Sequence, residues 1–157
     1  MQLSAAGLEL LKRSEGFRSL TYADVNGAPT IGYGHRLLNP ESFPGGISQE
    51  QAAEILVSDV REAGLAVDRL VKVPLTQGQF DALVDFCFNL GEGRLASSTL
   101  LKVLNSGRYQ EAGEQLLRWD QAGGQENAGL KARREAEFAL WNGGVSSGQS
   151  ATQKAAA

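Results

Sequence analysis

Twice in this chain, just ahead of a run of apolar residues at helical spacing, a hydroxyl residue is followed three positions later by glutamine: Ser48-Gln49-Glu50-Gln51 and Thr76-Gln77-Gly78-Gln79. Each is a capping box, in which the hydroxyl accepts from the backbone N–H three residues on while the glutamine reaches back to the cap's own N–H. The residues after each box keep a helical period. After Ser48, the residues Ala52, Ile55, Leu56, Asp59, Val60, Ala63, Val67 and Leu70 predict one helix over about 49–71, with Pro74 beyond its end. After Thr76, Phe80, Leu83, Val84, Cys87 and Phe88 predict a helix apolar enough to be central, ended by Gly91 and Gly93. Two such commitments make a mostly helical fold the expectation.

The remaining elements obey the same rules. Ser4 is placed to cap a first helix carrying Leu8 and Leu11, which fades at Ser14-Glu15-Gly16. Short helices are expected at about 98–106, 109–119 and 128–142, with a loop at Gly123-Gly124. From Gly143 the composition falls to Gly, Ser, Gln and Ala with one valine, one threonine and one lysine, which predicts a disordered tail over 143–157.

One region breaks the helical pattern. Asn26-Gly27 stands between the β-prone runs Leu20-Thr21-Tyr22 and Thr30-Ile31-Gly32-Tyr33, the signature of a hairpin with a type I′ turn. The reading is a small antiparallel sheet across 17–35, so the fold class is α+β, mostly helical. That sheet and its neighbours form a lobe of about 14–47. The long helix links it to a helical lobe of about 74–142, which includes the N-terminal helix.

The totals exclude several chemistries. At 157 residues the chain suits one domain with a full core. A single cysteine, Cys87, rules out an intrachain disulfide, and its apolar setting reads as a buried thiol rather than a nucleophile. One histidine, His35, makes no metal cluster alone, and neither metal nor cofactor is expected. A net charge of −3 lacks the basic footprint that nucleic acid requires. No run is long and apolar enough to insert in a membrane, and the N-terminus has no signal-peptide pattern, so synthesis in the cytoplasm is expected.

Candidate chemistry concentrates in the first quarter. Glu15 stands where a helix gives way to a glycine turn, with Phe17 and Tyr22 near enough in sequence to shield it; a shielded carboxyl retains its proton better, as a general acid requires. Asp24, near the hairpin tip, is the more solvated carboxylate. Thr30 offers a hydroxyl to hold a water beside it. Cleaving a sugar bond needs such a division of labour: an acid for the leaving oxygen and a second group for water or charge. Taken singly, each residue also has a structural reading, as a helix-end ion pair, a turn residue and a β-former.

Taken together, Ser14-Glu15-Gly16-Phe17, Tyr22-x-Asp24 and Thr30-Ile31-Gly32-Tyr33-Gly34-His35 closely resemble the bacteriophage-type lysozymes, glycoside hydrolase family 24. Leu75-Thr76-x-x-Gln79 through Phe88-Asn89-Leu90-Gly91 looks like that family's central helix. Gly129-Leu130-x-x-Arg133-Arg134-x-x-Glu137 looks like its closing helix. The resemblance covers about 5–142 and implies a single two-lobed lysozyme-like domain over 1–142.

It further implies a muramidase that hydrolyses the β-1,4 bond between N-acetylmuramic acid and N-acetylglucosamine in peptidoglycan, with inversion. Glu15 takes the position of the acid, and Asp24 and Thr30 those that place the water. Asn89 takes the place of a sugar-facing amide or is simply a helix-end residue. Arg133 takes that of a cation near the acid; its structural reading is a surface pair with Glu137. His35 takes that of a partner to an aspartate, best matched by Asp59. A monomer is expected, acting on periplasmic peptidoglycan after a holin-type membrane protein opens the way. The rival readings are a lytic transglycosylase, for which Asp24 and Thr30 have no task, and an inactive wall-binding protein.

Overall fold

The computed structural model describes residues 1–143. The tail expected from Gly143 therefore lies, beyond that residue, outside the described part. Contacts divide the chain into two compact units, Leu11–Arg61 and a second built from Met1–Leu10 with the described residues from Glu62 onward. Helix α1 (Ala5–Glu15) crosses from the one into the other. The class is α+β with helices predominant.

The first unit holds a three-stranded antiparallel sheet, β1 (Arg18–Ala23), β2 (Pro29–Gly32) and β3 (His35–Arg36), in that order, and helix α2 (Gln49–Asp59). Its small core is Ile31, Ile47 and Ala52, with Phe17, Tyr33, Leu37, Phe43 and Ile55 packed around it. The rings of Phe17 and Tyr33 lie 5.5 Å apart. Gly32 is required here. A β-carbon on it would come within 3.1 Å of Ala52 Cβ and Ile47 Cδ1, and its φ of +66° disfavours any other residue.

The hairpin between β1 and β2 differs from the expected type I′ turn. Asn26 has no positive φ; only Gly27 does, at +81°. Gly27 N–H donates to Asp24 O at 2.9 Å and Asp24 N–H to Ala28 O at 2.9 Å, which makes a three-residue loop with glycine in the left-handed position. Asp24 is the first residue of that turn, close to the tip where the sequence places it. A two-residue turn with both φ positive occurs instead at Gly123-Gly124 (+60° and +80°), between the short strands β4 (Gln121–Ala122) and β5 (Gln125–Glu126), where the sequence predicts only a loop.

The second unit contains α3 (Arg61–Leu70), α4 (Gln77–Leu90), α5 (Glu92–Ala96), α6 (Thr99–Asn105), α7 (Tyr109–Leu116) and α8 (Ala128–Trp141). Both capping boxes form: Ser48 Oγ accepts from Gln51 N at 3.1 Å, and Thr76 Oγ1 from Gln79 N at 3.2 Å, each with the reciprocal glutamine bond at 2.9 Å. Helix α4 buries nine consecutive residues, Gln79 to Cys87. The wholly buried Phe80, Leu83 and Phe86 each contribute about 1.5–3 kcal/mol of burial. Gly78 allows α8 to lie against α4, because a β-carbon there would sit 2.0 Å from Leu140 O.

The single helix expected over 49–71 is two. Helix α2 ends at Asp59, Val60 caps it at φ −78° and ψ −8°, and α3 restarts at Arg61. Leu56, Val60, Ala63 and Val67 are all buried, so the apolar spacing runs through the break and hides it. Helix α5 is a further difference, since Gly91 and Gly93 read in the sequence as a stop.

Candidate active site

Glu15 is the last residue of α1. Gly16, at φ +72°, ends the helix and its N–H donates to Lys12 O at 3.0 Å. The Glu15 side chain is half-buried and lies against the backbone of Gly34, where a β-carbon would come within 3.3 Å of Glu15 Oε2. The glycine after Tyr33 thus makes room for the carboxylate.

Asp24 and Thr30 are joined through the peptide groups of one residue, Ala28. Ala28 O accepts from Asp24 N–H at 2.9 Å and from the Thr30 hydroxyl at 2.9 Å. Ala28 N–H donates to Asp24 Oδ1 at 2.8 Å, and Asn26 N–H donates to the same oxygen at 2.8 Å. The three-residue loop produces this arrangement, since only a residue inside the turn can cap its N–H groups with its own side chain. Asp24 Oδ2 faces Arg36 Nη2 at 3.3 Å. The bond from Ala28, followed by those from Asn26 and Arg36, holds the Asp24 carboxyl below its ordinary pKa against the opposing effect of partial burial. Thr30 is buried at 3% exposure; its proton is directed to Ala28 O, so its oxygen is left to accept.

His35 bonds at both ring nitrogens to carboxylates, Nδ1 to Asp59 Oδ2 at 2.8 Å and Nε2 to Glu41 Oε1 at 2.8 Å. Burial would lower its pKa, but the bonds to Glu41 and Asp59 outweigh it, and the value is raised. Glu41 also accepts from Leu38 N–H at 3.0 Å, which ties the segment after β3 to the ring.

The second unit places the other named residues. Arg133 forks onto Asp85, Nε to Oδ2 at 2.9 Å and Nη2 to Oδ1 at 3.0 Å. Arg134 Nη2 donates to Asn89 Oδ1 at 2.9 Å and to Glu137 Oε1 at 2.7 Å. The surface pair read for Arg133 and Glu137 is therefore replaced: Glu137 takes Arg134, and both are wholly buried. Burial raises the pKa of Glu137 well above its usual value, aided by Asp85 within hydrogen-bonding reach. Two carboxylates can share such a bond only with a proton between them. Cys87, in the same helix as Asp85, is buried with its thiol pushed up to about 11. Among the described residues no group of three His, Cys, Asp or Glu is placed to hold a metal ion.

Arg36, Glu41, Asp85 and Arg134 carry no role that the sequence alone reveals. The best available signal is Asp81 and Asp85 within the most apolar helix, since a buried charge needs a partner. Arg36 depends on strand register, which pairs it with Thr30.

Predominant helices with one three-stranded antiparallel sheet are what the resemblance to the lysozyme fold implies. A family model described as phage lysozyme matches residues 12–137, and the chain belongs to that family. It is 41% identical over 144 residues to an endolysin of Salmonella phage P22, covering 90% of this chain and 98% of that one. It is 45% identical over 150 residues to an endolysin of Bacillus phage B103, covering 93% of this chain but 56% of the relative, so it spans just over half of that protein. Among solved structures, the muramidase domain of SpmX from Asticcacaulis excentricus superposes with a TM-score of 0.81 at 38% identity, over 89% of this chain and 97% of that one.

Proposed function

We propose that the protein is a muramidase that hydrolyses the β-1,4 bond between N-acetylmuramic acid and N-acetylglucosamine, with Glu15 as general acid and with Asp24 and Thr30 placing the attacking water. The observation that carries this reading is the Ala28 junction. With Oδ1 of Asp24 occupied by two turn N–H groups and the Thr30 proton directed to Ala28 O, two acceptors remain, Asp24 Oδ2 and the Thr30 oxygen. A water donating to both has its lone pair aimed away from them, and Asp24 takes its proton as it attacks the anomeric carbon. Protonation of the glycosidic oxygen by Glu15 releases the leaving sugar. Water entering opposite the leaving group inverts the anomeric centre.

His35 and Asp59 tie the sheet to α2. Asn89, whose oxygen is engaged by Arg134, retains amide N–H groups as donors for a sugar hydroxyl or acetyl oxygen. The enzyme acts as a monomer on the wall of the host, reaching periplasmic peptidoglycan from the cytoplasm once a holin-type partner has opened the membrane.

Mass spectrometry of fragments released from purified peptidoglycan tests this, with Glu15→Gln run alongside. Reducing-end muramic acid from the wild type and none from the variant is the expected result. Anhydro-muramic ends would mean a transglycosylase, and fragments from Glu15→Gln at near-normal yield would remove Glu15 from its role.

A further inference from the structure

Arg36 belongs to none of the motifs that carry the resemblance, yet the sheet brings it to the Asp24 carboxylate. It pairs with Thr30 across β2 and β3, and Thr30 pairs with Tyr22 across β1 and β2. Residues directly opposite in neighbouring strands share a face, so Tyr22, Thr30 and Arg36 form a row across the sheet. From the end of that row the guanidinium reaches Asp24 Oδ2. The side chain of Asp24 is 22% exposed and that of Arg36 65% exposed, so the pair stands in water at the edge of the sheet.

The consequences for Asp24 are specific. Its Oδ1 is fixed by two backbone donors that belong to the turn and do not move without it. Oδ2 has no backbone donor of this kind, and Arg36 is the charged side chain that the sheet unit brings to it. A rotation of the Asp24 side chain that takes the carboxylate off its turn donors also breaks its contact with Arg36, so the cation opposes that motion. The single contact to Arg36 leaves the oxygen's second lone pair to a water.

We propose that Arg36 is a positioning residue for Asp24, holding Oδ2 toward the water it shares with Thr30 and setting the low-pH edge of activity. This rests on the assignment of Asp24 as the base. Arg36 does not touch the reacting atoms. It favours the ionised carboxylate, the form that accepts the proton of the attacking water. A cation at this place lets the enzyme work in mildly acidic surroundings where an unassisted carboxylate begins to protonate.

The test compares pH profiles of kcat/KM on purified peptidoglycan for the wild type, Arg36→Ala, Arg36→Lys and Asp24→Asn, with thermal unfolding of each. Asp24→Asn is expected to be inactive at every pH. Arg36→Ala should lose on the order of 2- to 5-fold on the acidic limb, the scale of an exposed ion pair, with the alkaline limb and the melting temperature unchanged. Arg36→Lys should restore part of the acidic limb, because it returns the charge without the planar fork. Superimposed profiles for Arg36→Ala and wild type, beside a dead Asp24→Asn, would overturn the role of Arg36 and leave that of Asp24 standing. A uniform loss at all pH values without rescue by lysine would mean a merely structural residue. An active Asp24→Asn would remove the base itself, and the role of Arg36 with it.

Discussion

An arginine–carboxylate pair in the sheet unit and an arginine–carboxylate cluster in the helical unit are made of the same groups, and water separates their behaviour. In the sheet unit, Asp24 and Arg36 meet at 3.3 Å in the open. In the helical unit, Asp85, Arg133, Arg134 and Glu137 are buried, with Asp85, Arg134 and Glu137 wholly enclosed. The first pair is screened by solvent and adds little to stability, so its groups remain at liberty to exchange partners and protons. The second cannot be opened cheaply. Removing one member of a buried pair costs about 3–5 kcal/mol, because a charge is left in a dry site. The same ingredients are thus loosely held where hydrated, and attach α8 (Arg133, Arg134, Glu137) to α4 (Asp85, Asn89) where not.

The buried cluster offers the largest effect by which to break this contrast. Asp85→Ala should lower unfolding free energy by about 3–5 kcal/mol in urea titrations at neutral pH. Glu137→Gln should cost far less, since the glutamine oxygen still accepts from Arg134 and its amide can donate to Asp85. Equal losses in the two variants would mean that Glu137 is needed as an anion. Arg134 complicates any simpler accounting: its Nε and Nη1 and Glu137 Oε2 are buried without a hydrogen-bond partner, unless Oε2 carries the proton directed to Asp85.

A smaller effect is expected at His35, which lies between the extremes with 14% of its side chain exposed. Its raised pKa means that the imidazolium stabilises the fold fully below the unfolded value of about 6.5, and that this contribution is lost as pH rises through the folded value. Glu41, lowered chiefly by its bond from Leu38 N–H, acts in the opposite sense: its contribution is present above the unfolded carboxyl value and lost as pH falls through the folded one. Replacing His35 with Asn should therefore flatten the decline in melting temperature on the alkaline side of neutrality. An unchanged slope would mean that neither ion pair contributes.

Much of this is legible in the chain, for identifiable reasons. Capping boxes at Ser48 and Thr76 are local chemistry, and they form where the sequence places them. The reach from His35 to Asp59 comes from the family likeness rather than from spacing. The break at Val60 is invisible because buried residues keep helical spacing across it. The turn at Asn26-Gly27 misleads because Asn-Gly fits two hairpin types, and only the pairing of Ala23 with Pro29 selects the longer loop. The wrong turn type conceals the Ala28 junction, the feature on which the proposed placement of water depends. Arg36 and Glu41 are beyond reach for a related reason: both depend on how strands and the segment after them fold back, which periodicity does not encode.

The central claim is that Asp24 and Thr30 hold a water rather than form a bond to the sugar, and the stereochemistry of the first product tests it most directly. Proton NMR of a soluble β-1,4-linked glycan fragment of peptidoglycan, recorded faster than mutarotation, reads the anomer released. An α-configured reducing end appearing first is the predicted result, since water attacks opposite the leaving group. A β-configured end appearing first would contradict the account, because retention requires a first displacement by a nucleophile other than water, either Asp24 or the sugar's own acetamido group.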